Sequence, residues 1–141
     1  MRIMLAAFLS VTAIGLGAVT YAATHSGSEV PIDSFEFLGC SGDWTDKDYS
    51  PDIWRMGSNT GTTYLVRHPA TCGADAGRGA SATFSAGTLN LHYEPYSRND
   101  LYASCDCEFW AKFTFQAEHS EVRSATFDAQ AAHLKGSWPE R

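Results

Sequence analysis

The sequence has no cluster of basic side chains: its 10 Lys and Arg are scattered singly among 16 Asp and Glu. Nucleic acid and anionic lipid are therefore poor partners, because phosphate recognition needs Lys and Arg gathered on one face. There is no nucleophile elbow, no zincin helix and no phosphate loop. The glycines at 73, 77 and 79 lack the Lys-Ser/Thr that would follow them in a phosphate-binding turn. Nothing marks a cofactor, and none is expected. Internal repeats, low-complexity tracts and Asn-x-Ser/Thr sequons are also missing. With charged residues at only 18% and hydrophobic residues at 44%, the composition is that of a folding chain, not a disordered one.

Charge is absent from Ile3 to Val19, directly after Met1-Arg2, and Thr20-Tyr21-Ala22-Ala23 then leads into a polar stretch. A positive start, an apolar middle and small residues at the cut are the layout of a secretory leader. Cleavage after Ala22 is expected, with residues 23–34 a flexible lead-in and residues 35–141 a single domain. The apolar run is short for a membrane span, which takes about 20 residues. The expected location is secreted or periplasmic, with no stable membrane span once the leader is gone. Without Arg2, 9 basic side chains face 16 acidic ones, a net charge of −7. Such a surface draws in basic partners by long-range attraction.

Cysteine is scarce but even in number: Cys40, Cys72, Cys105 and Cys107. Behind an export leader this reads as a disulfide framework rather than a thiolate metal site. Residues 101–117 alternate with a period of two, placing Leu101, Ala103, Cys105, Cys107, Phe109, Ala111, Phe113 and Phe115 on one side. The other side carries Tyr102, Asp106, Glu108, Trp110 and Lys112. This pattern predicts a long strand with its first set against a core. Residues two apart on a strand lie about 6.6 Å apart, too far for a disulfide, whose β-carbons sit about 3.8 Å apart. Cys105 and Cys107 should therefore pair not with each other but with Cys40 and Cys72, in either order.

Elsewhere, a short strand is expected around Phe35–Leu38 and another around Ile53–Met56. Thr62–His68 should form a strand stopped by Pro69. Ala70–Gly79 reads as loop. Ala80–Ala86 and Thr88–Glu94 form a hairpin about Gly87, with Leu89, Leu91 and Tyr93 inward. For the tail, two short strands, Arg123–Phe127 and His133–Trp138, are favoured over a helix. About seven short strands with turns between them predict an all-β fold, a small disulfide-stabilised antiparallel β-sandwich or small barrel.

The loop from Ser41 to Gly61 gathers Trp44, Tyr49 and Trp54 with Asp43, Asp46, Asp48 and Asp52. Four carboxylates could ligate calcium, but their spacing is not that of a calcium loop, and a solvated acidic loop is the plainer reading. Tryptophan beside carboxylate suits recognition of a protein or sugar, the alternative being packing beneath a neighbouring segment. The candidate ligand-binding set is Trp44, Asp46, Asp48, Trp54 and Trp110. No catalytic or metal-binding residue is assigned. The expected function is that of an exported, non-catalytic binding protein, first of all an inhibitor of, or immunity factor against, a basic cell-wall hydrolase. A glycan-binding module and a structural envelope protein are the alternatives.

Overall fold

A computed structural model describes residues 27–58, 61–116 and 121–136. The expected leader and Trp138 lie outside the described residues. Within them the chain forms nine strands: β1 (Ser28–Glu29), β2 (Ser34–Asp43), β3 (Asp52–Ser58), β4 (Gly61–Thr71), β5 (Ala76–Ser85), β6 (Thr88–Tyr96), β7 (Asp106–Phe115), β8 (Ser124–Phe127) and β9 (Gln130–Lys135). They make one curled sheet in the order β1-β5-β6-β8-β9-β3-β4-β7-β2, an all-β half-barrel carrying two disulfides.

The sheet is mixed. The β8–β9 hairpin is inserted between β6 and β3, so that β8 runs parallel to β6 and β9 parallel to β3. Curling brings the two halves face to face, with the ring of Phe35 on β2 5.1 Å from that of Tyr93 on β6. Part of the expected lead-in belongs to the fold. Ser28 and Glu29 pair with β5, Val30 N donates to Ala82 O, and Asp33 N donates to Thr114 O. This stretch thus crosses from one edge of the sheet to the other.

Period-two alternation builds the core. Cys107, Phe109, Ala111, Phe113 and Phe115 of β7 point inward with Tyr64 and Val66 of β4, Ile53 of β3 and Leu89, Leu91 and Tyr93 of β6, all at most 1% exposed. Several boundaries differ from expectation: β2 runs on to Asp43, and β5 begins at Ala76, so the expected loop Ala70–Gly79 shrinks to residues 72–75. β4 runs on through Pro69 to Thr71, because β3 flanks it only from Gly61 to Arg67 and one side is already unpaired at Pro69. β7 starts at Asp106, not Leu101. Leu101 is 70% exposed and Tyr102 55%, and Cys105 N turns back onto Ala103 O. The alternation of residues 101–105 is therefore not a strand, since the backbone there bends to reach Cys72.

The disulfides are Cys40–Cys107 and Cys72–Cys105, with Cα atoms 5.9 Å and 5.4 Å apart. Cys105 and Cys107 each take a different distant partner, as expected. In the chain-entropy picture each closure contributes about 4 kcal/mol.

Candidate functional site

On the outer face of the sheet, strand register lines up Asp52, Arg67 and Trp110 in one row, and Trp54, Leu65 and Lys112 in the next. Trp54 stacks on Trp110 with ring centroids 5.4 Å apart, over Leu65 and against Leu38. This is a small second core on the solvent side of the sheet. Trp54 and Trp110 are only 8% and 7% exposed, so neither offers an open platform. Lys135 Nζ lies 5.1 Å from the Trp54 ring centre. Trp110 Nε1 donates to Ser41 Oγ at 2.9 Å and Glu108 Oε1 at 2.8 Å.

Arg67 organises the neighbouring loop. Its guanidinium meets Asp46 at 2.6 Å, Asp52 at 3.0 Å and Glu108 at 2.6 Å, and lies 4.3 Å from the Trp44 ring centre. Burial opposes the charge on Arg67, yet Glu108, Asp46 and Asp52 outweigh it and raise the pKa. Burial likewise pushes Asp52 and Glu108 upward. Hydrogen bonds from Lys135 and Arg67 to Asp52, and from Arg67, Ser41 and Trp110 to Glu108, reverse this and hold both below the usual carboxylate range. Two of the four loop aspartates, Asp46 and Asp52, are thus engaged by Arg67. Among the described residues no group of three His, Cys, Asp or Glu is placed to hold a metal ion.

The rest of the loop is also tied down. Hydrogen bonds from the Ser50 hydroxyl and from Ser50 N, the latter at 2.9 Å, hold the Asp48 carboxyl below its ordinary range, and Asp48 lies 3.6 Å from His133 Nε2. Tyr49 OH donates to Asp106 at 3.0 Å, and Gln130 Nε2 donates to Tyr49 O at 3.2 Å. Of the predicted set, Trp44 and Asp46 meet Arg67 directly and Trp110 is its neighbour in register, whereas Trp54 joins through its stack on Trp110 and Asp48 only reaches toward His133. Asp46 and Asp48, with side chains 49% and 62% exposed, remain open to solvent, whereas Trp54 and Trp110 support the loop from below.

Sequence reading placed a turn at Pro95–Asp100 but carried the strand back to Leu101, and so missed that residues 97–105 form a second loop at this end. It is clamped by Cys72–Cys105, by Ala103 N to Cys72 O and Cys72 N to Cys105 O, by Ser97 N to Tyr102 OH and by Leu101 N to Ser97 Oγ. Asp106 joins the two loops, since its side chain receives Tyr49 and its carbonyl receives Trp44 N. The signal was present in the sequence: Leu101 and Tyr102 follow the turn residues Pro95 to Asp100 and precede a cysteine. Period-two alternation disguised them as strand.

Histidines occur beside carboxylates elsewhere. His133 Nδ1 is 3.2 Å from Asp52, and His92 Nδ1 meets Asp128. These contacts orient the rings, and among the described residues neither pair is hydrogen-bonded to a hydroxyl or thiol nucleophile. Compared with protein-family models, curated proteins and solved structures, the chain matches nothing.

Proposed function

We propose that the protein is an exported, non-catalytic binding protein that engages a basic protein partner through the end of the half-barrel formed by residues 43–52 and 97–106. Among the described residues, three of the four large exposed hydrophobic side chains, Tyr49 at 53%, Leu101 at 70% and Tyr102 at 55%, lie on these two loops. That concentration is the observation that carries the reading. The exposed carboxylates of Asp43, Asp46, Asp48, Asp100 and Asp106 accompany them. Because both loops are fixed before any encounter, little ordering entropy opposes binding. Carboxylates would speed the approach of a basic protein, and Leu101 and Tyr102 would anchor it.

The first partner class is a basic cell-wall hydrolase, whose inhibitor or immunity factor this would be. The glycan alternative loses support, since Trp54 and Trp110 stack on each other and are almost wholly covered. The export reading rests on the leader-like residues 1–22. Two disulfides are compatible with an oxidising compartment, and among the described residues no helix is long and apolar enough to cross a membrane.

The test is binding to a panel of basic cell-wall hydrolases, with acidic enzymes as controls, at low and high salt. Asp48→Asn with Asp100→Asn should slow association several-fold at low salt. Leu101→Ala should speed dissociation, costing about 1–2 kcal/mol. If every basic enzyme binds no better than the acidic controls at low salt, this partner class is wrong.

A further inference from the structure

We propose that Cys105 is a site of thiol–disulfide exchange, at which small dithiols open Cys72–Cys105 while Cys40–Cys107 stays closed. Cys105 is exposed and lies in an open groove with Thr71, Ser104 and Asp106, and Cys72 is half-buried. A thiolate reaching Cys105 Sγ expels Cys72 toward water. Cys40 is exposed as well, but attack there must expel Cys107, which is 0% exposed. A thiolate leaving into an apolar interior is a poor leaving group, because burial raises thiol pKa. The Gly42 carbonyl oxygen, 3.2 Å from Cys107 Sγ and 3.6 Å from Cys40 Sγ, lies beside the bond nearer Cys107 and further disfavours a departing Cys107 thiolate.

One thiolate of the dithiol bonds to Cys105 Sγ, the Cys72–Cys105 bond breaks, and Cys72 leaves as a thiolate that takes a proton from water. The second thiol then attacks the mixed disulfide, freeing Cys105 as a thiol and closing the dithiol into a cyclic disulfide. Two electrons pass from the dithiol to the protein. The covalent clamp of residues 97–105 is thereby released, while the hydrogen bonds around Ser97 and Tyr102 remain.

Local charge selects the thiol. Asp106 lines the groove and Asp100 is exposed, while Asp75 and Arg98 offset each other as a pair. A cationic thiol should react faster per thiolate than an anionic one, about five- to tenfold at low salt, the difference shrinking in 0.5 M salt.

The test treats the folded, oxidised protein with limiting dithiothreitol, traps thiols with iodoacetamide and maps them by mass spectrometry while circular dichroism follows the fold. Cys72 and Cys105 should be alkylated at least about tenfold faster than Cys40 and Cys107, with the β spectrum retained. Cysteamine should outpace 2-mercaptoethanesulfonate. Equal rates for the two bridges, all four thiols appearing together as the spectrum collapses, or no preference for the cationic thiol would each overturn the proposal. None of these outcomes depends on whether the acidic end binds a protein.

Discussion

His68 sits on β4 between the rings of Tyr93, Phe109 and Phe127, 4% exposed. Its Nδ1 lies 3.2 Å from Pro69 O, a carbonyl that can only accept, so Nδ1 carries the proton and Nε2 accepts from Tyr93 OH at 2.6 Å. Protonating Nε2 would break that arrangement. Burial accordingly pushes the pKa of His68 down from 6.5 to about 4, against the Pro69 carbonyl and the Asp128 charge, which favour the proton. Between these values the unfolded chain binds more protons than the folded one, so stability is complete above pH 6.5 and declines as pH falls toward 4. The expected loss is on the order of 3 kcal/mol, with Asp52 and Glu108 extending it to lower pH. Urea titrations from pH 7.5 to 4 measure it, and His68→Gln should flatten the profile between pH 6.5 and 4.5. Arg67 makes the opposite case, a charge kept because three carboxylates surround it. Arg67→Met should cost about 3–5 kcal/mol by leaving Asp52 and Glu108 uncompensated, and Arg67→Lys should recover only part of it in the same titrations. The two residues were not equally legible. The alternation of Thr62, Tyr64, Val66 and His68 already placed the histidine inward, but no local signal could show that residues 46, 52 and 108 would meet at one arginine.

Strands and faces were more legible than ends and partners. Leu89, Leu91 and Tyr93 point inward as their spacing implies, and β5 and β6 meet at a two-residue turn, Ala86-Gly87, with Ser85 opposite Thr88. The tail forms the same device, with Phe127 opposite Gln130 about Asp128-Ala129. Ala86, Asp128 and Ala129 have φ of 50°, 52° and 62°, the left-handed region that such turns require at both central positions. No glycine marks the second turn, which is why the sequence left strand and helix in competition there. Alanine in this region costs roughly 1 kcal/mol. Ala129→Gly should therefore raise stability by about that amount, with its N–H still free to donate to Asn90 Oδ1; thermal or urea melts check it, and a destabilised variant would contradict the turn. The boundary error at residues 101–105 has another cause. Period-two polarity continues past the point where the backbone turns, because a loop that is part exposed and part cross-linked can carry the same pattern as a strand.

At the scale of the molecule, periodicity says that a segment is a strand but not which strand lies beside it, and so the mixed topology was out of reach from sequence. The consequence is mechanical. The β8–β9 hairpin is the junction of the curled sheet, laying four residue pairs on β6 and three on β3, and it sends Ala125 and Phe127 into the shared core at 2% and 3% exposure. The disulfides do not substitute for it: Cys40–Cys107 fastens β2 to β7, and Cys72–Cys105 ties the end of β4 to the approach of β7, all on one side of the junction. Ending the chain at Gln116 should thus leave the β2-β7-β4-β3 half cross-linked yet unable to close on β6, with two unpaired strand edges. The expected result is loss of a cooperative unfolding transition and a tendency to aggregate, followed by circular dichroism and light scattering. Phe127→Ala in the full chain should show the milder form, a cooperative transition weakened by about 3–5 kcal/mol. If the shortened chain instead melts cooperatively with both bridges formed, the half-barrel is two independent halves and the hairpin is an appendage to them.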